Sequence, residues 1–217
     1  MIDTERFIKR IPNKPVDSNS YIIQNNQTND CLVVDPGTLD CKDLIKYMDK
    51  ESLVPEYIIL THEHFDHVWG VEKLRETFGC KVICSAMCGQ SITERKRNLS
   101  IFYNQVGFEC GKPDMLIEEI NFQFNWRGRL VSFYETPGHS RGSISFSVDG
   151  IVFTGDTIIP GVYTVLKLPG SDKVELRKSI DKIKSLLHYP SMIMPGHGEP
   201  FMITTSEELE SLELIRV

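Results

Sequence analysis

Long apolar runs are missing from this sequence of 217 residues. No stretch approaches the roughly 20 consecutive apolar residues that a transmembrane helix needs. The charged residues 1–6 also lack the apolar core of a secretory signal. We therefore expect no membrane partner and a cytoplasmic location.

Positive charge is also scarce, because 24 lysines and arginines stand against 30 aspartates and glutamates, for a net charge of −6. A surface of this sign repels a phosphate backbone. The densest basic run, at residues 95–97, is too short to offset the acidic excess, and we interpret it as the solvated end of a helix. The expected partner is a small-molecule substrate rather than a nucleic acid, and no pattern indicates an oligomeric state.

Six cysteines occur without the export signal that accompanies a disulfide framework, so we expect reduced thiols. Cys80, Cys84 and Cys88 recur every four residues, a spacing that would align metal ligands on a helix. The intervening residues 81–84 have the pattern of a strand, however, so the three thiols do not share one helical face. We interpret them as packed or surface thiols rather than as a second metal site.

Linkers, low-complexity tracts and internal repeats are absent as well, so we expect a single domain over residues 1–217. The predicted strands are residues 20–23, 31–34, 57–60, 81–84, 130–135, 143–148, 151–153 and 192–194. The predicted helices are residues 39–50, 68–78, 91–98, 174–188 and 207–215. Alternating strands and helices are typical of a layered α/β fold. Strict alternation in residues 143–148 predicts one buried face, and Asp149-Gly150 predicts a tight turn after them.

What the sequence does contain is a cluster of histidines, three of which fall with an aspartate within residues 62–67. In an extended segment His62 and His64 point to the same side of the chain. Asp66 and His67 would open the following helix, where a carboxylate is stabilised, and would serve a second centre. Imidazole and carboxylate are ligands that zinc accepts. A polar loop of hydrogen-bonded histidines would explain one of them but not this cluster.

Three further candidate ligands each follow a short apolar strand. His139 follows residues 130–135, Asp156 follows 151–153 and His197 follows 192–194, with glycine beside each of them. Strand ends that lie side by side would gather these groups, together with those of residues 62–67, at one rim of the fold.

These residues resemble the signature of the metallo-β-lactamase fold superfamily. Five motifs match in the expected order: VDPG from residue 34, HEHFDH from 62, PGHS from 137, TGDT from 154 and PGHG from 195. The resemblance covers nearly the whole chain. It implies an α/β fold of the four-layer αββα sandwich type.

The resemblance also implies a ligand set for two divalent metal ions, with zinc favoured and iron or manganese as alternatives. His62, His64 and His139 would bind the first ion, Asp66, His67 and His197 the second, and Asp156 would bridge the two. A hydroxide shared by the two ions would attack the substrate, with Asp66 orienting it. Asp35 would lie next to the ligands and support the loop of residues 61–67, which we call the motif loop. The sixth histidine, His188, is not a ligand.

The residue at the bridging position separates branches of the superfamily. True lactamases usually carry cysteine or serine where this chain has Asp156, so we expect that β-lactams are not its substrates. Asp156 and the following residues 168–172 resemble the glyoxalase II-like hydrolases, which cleave thioesters. Short members of the glyoxalase II-like branch often carry an arginine after the bridging aspartate, and residues 161–167 lack one. A glutathione thioester is therefore not the only candidate substrate, and lactones, other thioesters and phosphodiesters stay open.

Other classes of activity share parts of this pattern. Persulfide dioxygenases also resemble it and use one iron held by two histidines and an aspartate, so metal content would distinguish them from a hydrolase. A flavin-partnered oxygen reductase is disfavoured, because those relatives usually carry glutamate in place of the second histidine. A binding role without catalysis is disfavoured by the complete ligand set. The aromatic residues 101–108 either cover the core or form a wall of the substrate cleft.

Overall fold

Two six-stranded sheets, each with helices outside it, form the fold. The computed structural model describes residues 7–25, 27–118, 122–161 and 164–211, without the side chains of 209–211. The chain builds one sheet after the other, so the layers follow in the order helix, sheet, sheet, helix. The predicted four-layer αββα sandwich is thereby confirmed.

The first sheet has the strand order β1-β2-β3-β4-β5-β6. Its strands are β1 (Ile8–Pro12), β2 (Asn19–Gln24), β3 (Asp30–Val34), β4 (Val54–Ile59), β5 (Lys81–Ser85) and β6 (Met115–Ile117). The helices of this half are α1 (Lys42–Glu51), α2 (Phe65–Val68), α3 (Val71–Phe78), α4 (Ala86–Ser91) and α5 (Ser100–Asn104). Strands β1 to β3 are antiparallel, whereas β3 to β6 are parallel.

The second sheet has the order β12-β11-β10-β9-β8-β7. Its strands are β7 (Gln123–Trp126), β8 (Arg129–Glu135), β9 (Ile144–Val148), β10 (Ile151–Gly155), β11 (Ser191–Pro195) and β12 (Phe201–Ile203). Helix α6 (Lys173–Leu186) and helix α7 (Ser206–Ser211) belong to this half. Only β10 and β11 pair in parallel among its named strands, with α6 in the connection between them.

Three apolar clusters hold the four layers together. The middle one fills the space between the sheets, where the rings of Phe146 and Phe153 stack at 4.5 Å. On the outer face of the first sheet, Leu44 of α1 and Leu74 of α3 are buried. The amphipathic helix α6 covers the second sheet with its own buried side chains, among them Ile180. Burial on both faces explains why the strands are so rich in branched aliphatic residues.

Most predicted elements are present, but the helix predicted for residues 91–98 is wrong. This segment forms exposed turns around the basic run 95–97, which is therefore not a helix end. The side chain of Asn98 donates to the carbonyls of Ile92 and Phe108 and so competes with a helical backbone. Strands β1, β6, β7 and β12 were not predicted, and residues 212–215 of the last predicted helix lie outside the described residues.

Strand β9 also differs from the prediction, because both of its faces are covered. Ser145, on the face expected to be polar and exposed, is fully buried and its hydroxyl lies 3.0 Å from that of Thr136. The turn at Asp149-Gly150 agrees with the prediction, since both residues have positive φ. All six cysteines are free and buried, so of the packed or surface thiols that the sequence predicts, the structure shows packed ones. Within the described ranges, no helix has the length and apolar character to cross a bilayer.

Candidate metal centre

The rim of the fold where several strands end brings the seven predicted ligands together. The motif loop follows β4 and stays extended as far as His64, the residue that precedes α2. His139, Asp156 and His197 follow β8, β10 and β11. The predicted convergence of ligands from both halves of the sequence is therefore present in the structure.

The first cluster consists of His62, His64 and His139, whose ligand nitrogens all lie within 4.8 Å of one another. The Nδ1 of His64 is 2.9 Å from the Nε2 of His139. All three rings are buried. His62 and His64 do face the same centre, as the extended segment predicts.

The second cluster consists of Asp66, His67 and His197, again with ligand atoms within 4.8 Å. The Oδ2 of Asp66 lies 3.7 Å from His67 Nε2 and 3.4 Å from His197 Nε2. The two Nε2 atoms are 3.4 Å apart. Asp66 and His67 lie in the first turn of α2 and form this cluster with His197, although the His67 ring also lies 4.2 Å from that of His62 in the first cluster.

Asp156 lies between the two clusters. Its Oδ2 is 3.5 Å from His139 Nε2 in the first cluster and 3.4 Å from His197 Nε2 in the second. Its Oδ1 is 3.6 Å from His67 Nε2. A single carboxylate thus faces both sets of histidines, which is the geometry of a bridging ligand.

Two buried atoms in this region lack any hydrogen-bond partner among the described residues, His62 Nε2 and Asp156 Oδ1. An unsatisfied buried polar atom is costly, and native structures rarely keep one without a ligand or a function. Both atoms belong to the clusters, where the imidazole nitrogens lie close to one another and to carboxylate oxygens. A set of nitrogen and oxygen donors of this kind fits divalent cations such as zinc.

In four of the five histidines of the clusters, the ring nitrogen that faces away from the cluster is held by a hydrogen bond. His62 Nδ1 lies 3.1 Å from the Thr61 hydroxyl, and His67 Nδ1 lies 3.0 Å from Asp35 Oδ2. Backbone carbonyls hold the other two: that of Val165 lies 3.2 Å from His139 Nδ1, and that of Asp17 lies 2.8 Å from His197 Nδ1. Such contacts orient a ring so that its other nitrogen faces the metal. No side-chain pattern marks the two carbonyl contacts, so sequence reasoning did not find them.

Asp35 supports the motif loop, as the sequence predicts. It follows β3 with a φ of 48°. Its Oδ1 accepts a 2.7 Å hydrogen bond from the Thr61 amide, and its Oδ2 accepts one of 2.6 Å from the Thr61 hydroxyl. Because Oδ2 also lies against His67, one buried carboxylate links the start of the motif loop to the second cluster.

The loop that carries His197 is fastened by residues that the sequence analysis missed. The side-chain amide of Asn19 donates from Nδ2 to the carbonyls of Pro195 and Gly198 at 3.0 and 2.8 Å. The hydroxyl of Tyr21 donates to Pro195 at 2.6 Å. Gly196 packs so closely that an added Cβ would lie 2.1 Å from Asp156 Oδ1.

Without a cation, the two clusters differ in charge. Burial lowers the pKa of His62, His64 and His139, to about 3 for His64, so these rings are neutral at pH 7. For His67, burial acts in the same direction, but the carboxylates of Asp156 and Asp66 outweigh it and raise the pKa to about 9. For His197 the same balance raises the pKa to about 11. The first cluster therefore presents lone pairs directly, whereas the second must release protons to bind a cation.

An open cleft of about 430 Å³ lies beside His64 and Asp66. Its other lining residues are Phe65, Leu99, Phe102, Tyr103, Leu168 and Pro169. The side chain of Phe102 is 71% exposed, so it does not cover the core. Each interpretation of residues 101–108 holds for part of the segment, because Phe102 and Tyr103 line the cleft whereas Phe108 packs against the core of the first half. His188 is exposed and belongs to neither cluster.

Comparisons with known proteins agree with this geometry. A hydroxyacylglutathione hydrolase of Pelagibacter ubique is 33% identical over 213 residues, which cover 91% of this chain and 76% of that protein. The crystal structure of BLEG-1 B3 metallo-beta-lactamase is similar with a TM-score of 0.86 and 28% identity, over 95% of this chain and 98% of that one. TTHA1623 in a di-iron-bound form is similar with a TM-score of 0.74 and 25% identity, over 89% and 94% of the two chains. The profile of the metallo-beta-lactamase superfamily matches residues 13–197. The chain therefore belongs to the metallo-β-lactamase superfamily.

Proposed function

We propose that the protein is a hydrolase that uses two divalent metal ions to cleave a thioester or a related ester bond. The observation that carries this proposal is the position of Asp156, whose carboxylate faces both histidine clusters. One cation would need only one cluster. Two clusters that share a carboxylate match the ligand set of a two-metal site.

The residues of the two clusters would hold the two ions, and divalent ions bound there would supply a water nucleophile at neutral pH. The remaining work falls to the protein. Asp66 belongs to the second cluster and also lines the cleft, and in this proposal its carboxylate would orient the nucleophile towards the substrate. Zinc is the favoured metal because the donors are imidazole and carboxylate, and iron and manganese are the alternatives.

Two findings support a thioester as the substrate. The relative from Pelagibacter ubique is named for the hydrolysis of hydroxyacylglutathione, which is a thioester. The cleft is lined mainly by apolar side chains, apart from His64 and Asp66 at the metal centre. Such a lining suits the uncharged region of an acyl thioester next to its scissile bond.

The hydrolysis of β-lactams is a second candidate, favoured by the similarity to BLEG-1 over nearly the full length of both chains. Asp156 at the bridging position argues against it. Lactones and phosphodiesters are further candidates, and oxidation of a persulfide at a single iron is the alternative from a different class of reaction.

The test is elemental analysis of the purified protein together with a panel of thioester, lactone, phosphodiester and β-lactam substrates. We expect two zinc ions per chain and the highest kcat/KM on a thioester. His64→Ala and Asp156→Ala should each lower turnover by at least about 100-fold, while circular dichroism shows a folded chain. His188→Ala, a change of a histidine outside the clusters, should leave turnover unchanged.

Three results would contradict the proposal. One iron per chain with oxygen uptake on a persulfide would indicate the dioxygenase. Faster turnover of a β-lactam than of any thioester would indicate the lactamase. Full turnover in either alanine variant would refute the roles assigned to His64 and Asp156.

A further inference from the structure

A second depression, which we call the basic groove, lies next to the apolar cleft. It has a volume of about 420 Å³, and its lining includes Gln90, Lys96, Arg97, Arg141 and Gly170. The chain as a whole has a net charge of −6, so three cations around one depression stand out against the average surface. A concentration of one sign of charge in a concave site attracts a ligand of the opposite sign.

These cations are largely free to bind a ligand. The side chains of Lys96 and Arg141 are exposed, and among the described residues neither makes a hydrogen bond or an ion pair. Arg97 has one partner, Glu94, at 3.2 Å, and both side chains of this pair are about half exposed. The nearby Arg95 differs, because Glu109 pairs with it at 3.0 Å.

The acidic residue of the groove, Glu63, does not neutralise the cations. It is 6% exposed, and its Oε2 accepts a hydrogen bond of 2.9 Å from Ser140. A Cβ built at Gly142 would lie only 2.5 Å from the same oxygen, so the carboxylate is closely packed on the protein side.

The groove and the cleft adjoin each other. Pro169 lines both. In the motif loop, Glu63 lines the groove and the next residue, His64, lines the cleft. Likewise, Arg97 lines the groove and Leu99 lines the cleft. A molecule that fills the cleft beside His64 and Asp66 would therefore extend past Pro169 into the basic groove.

We propose that the substrate carries an anionic group, a carboxylate or a phosphate, at the end remote from the scissile bond, and that Lys96 and Arg141 bind it. Arg97 adds positive charge to the same subsite. This inference rests on the proposed function for the cleaved bond, but the anionic subsite itself is a property of the groove. Guanidinium and ammonium groups bind both kinds of anion, so the experiment must separate them.

The test uses short-chain thioesters in which either the acyl chain or the thiol chain ends in an amide, a carboxylate or a phosphate. We expect an anionic member to have a KM at least about tenfold below that of its amide, with a similar kcat. The double variant Lys96→Gln/Arg141→Gln should remove this advantage by raising the KM of the anionic substrate to that of its amide. Raising the ionic strength should weaken the advantage in the unmodified protein, because exposed charges are screened.

The matched control is Lys46→Gln/Arg177→Gln, which removes the same two charges from exposed positions on α1 and α6 and should keep the advantage. Equal KM values for amide and anions, or an advantage that survives in the groove variant, would overturn the inference. If no thioester is hydrolysed, the proposed function fails. The anionic subsite is then tested separately, by calorimetric binding of the matching thioethers to the zinc-loaded protein. A Kd for the anionic thioether tenfold below that of its amide, with the difference lost only in the groove variant, would sustain the inference. Equal Kd values for the two thioethers would overturn the inference.

Discussion

At the scale of single residues, the candidate site depends on side chains that hold the ligands as much as on the ligands themselves. Asp35 is the clearest case, because it contacts Thr61 at the start of the motif loop and His67 in the second cluster. The VDPG motif identified this residue in the sequence. The distances explain its role, which is to keep the His67 ring turned with Nε2 towards the site.

We predict that Asp35→Asn lowers metal affinity by about 10- to 100-fold, the usual cost of losing a carboxylate that orients a histidine ligand. The change keeps the size of the side chain but removes its charge and one acceptor oxygen. Metal affinity should be measured by competition with a chromogenic chelator.

Asp149→Asn is the matched control. Asp149 also has a positive φ, 51°, but it lies in the turn between β9 and β10 and pairs with Arg129. Its replacement should leave metal affinity unchanged. An equal loss in both variants would show that the backbone conformation, and not the contact with His67, governs the effect.

At the scale of loops and strands, close backbone packing sets the position of His197. Gly196 lies against β10, and a side chain there would meet Asp156 Oδ1, the His67 ring and the Gly155 backbone at 2.1, 2.9 and 3.0 Å. We predict that Gly196→Ala lowers metal affinity and turnover by at least about tenfold, since small displacements of reacting groups cost large factors in rate.

The control for this prediction is Gly111→Ala. A Cβ at Gly111 would meet the tip of the flexible Arg75 side chain at 2.9 Å, which can move away. Turnover and metal content of this variant should match those of the unmodified protein. Normal metal content in Gly196→Ala would mean that the loop adapts and that its close packing does not position the site.

The strands beside the site were predictable because each is a compact apolar run that ends at a motif. The missed strands carry weaker signals: β6 and β12 have three residues each, and β1 interleaves Lys9 and Arg10 with its isoleucines. The pattern of residues 91–98 favours a helix, whereas the side chain of Asn98 donates to the carbonyls of Ile92 and Phe108, six and ten residues away, and stabilises the turns. Hydrogen bonds of this kind leave no local pattern, so single-sequence reasoning cannot find them.

At the scale of the whole molecule, stability without metal should depend on pH in two opposite ways. Burial holds the pKa of His64 at about 3, below its ordinary value of 6.5. The unfolded chain therefore takes up a proton that the folded chain does not, and stability falls as the pH drops below about 6.5. The pKa of His67 is about 9 despite burial, because Asp156 and Asp66 stabilise its charge. The stabilisation of the folded state by protonated His67 is complete below about pH 6.5 and is lost as the pH rises to about 9.

We predict that the metal-free protein is most stable near pH 6.5. Urea unfolding in the presence of a chelator should give a higher midpoint at pH 6.5 than at pH 5 or pH 9. Saturation with zinc should raise the midpoint at pH 7.5, because a ligand that binds only the folded state stabilises it. A midpoint that rises steadily from pH 5 to pH 9 would contradict the opposing contributions of His64 and His67.

The division of the candidate ligands between the two sheets has a consequence for the folded chain as a whole. His64 and His139 are 75 positions apart in the sequence, and His67 and His197 are 130 apart. A cation bound between such partners is a reversible cross-link that closes a long loop, as a disulfide would in an oxidising compartment. The six cysteines, all buried and free, make no such links. Metal supply would then control resistance to unfolding and to proteolysis as well as catalysis.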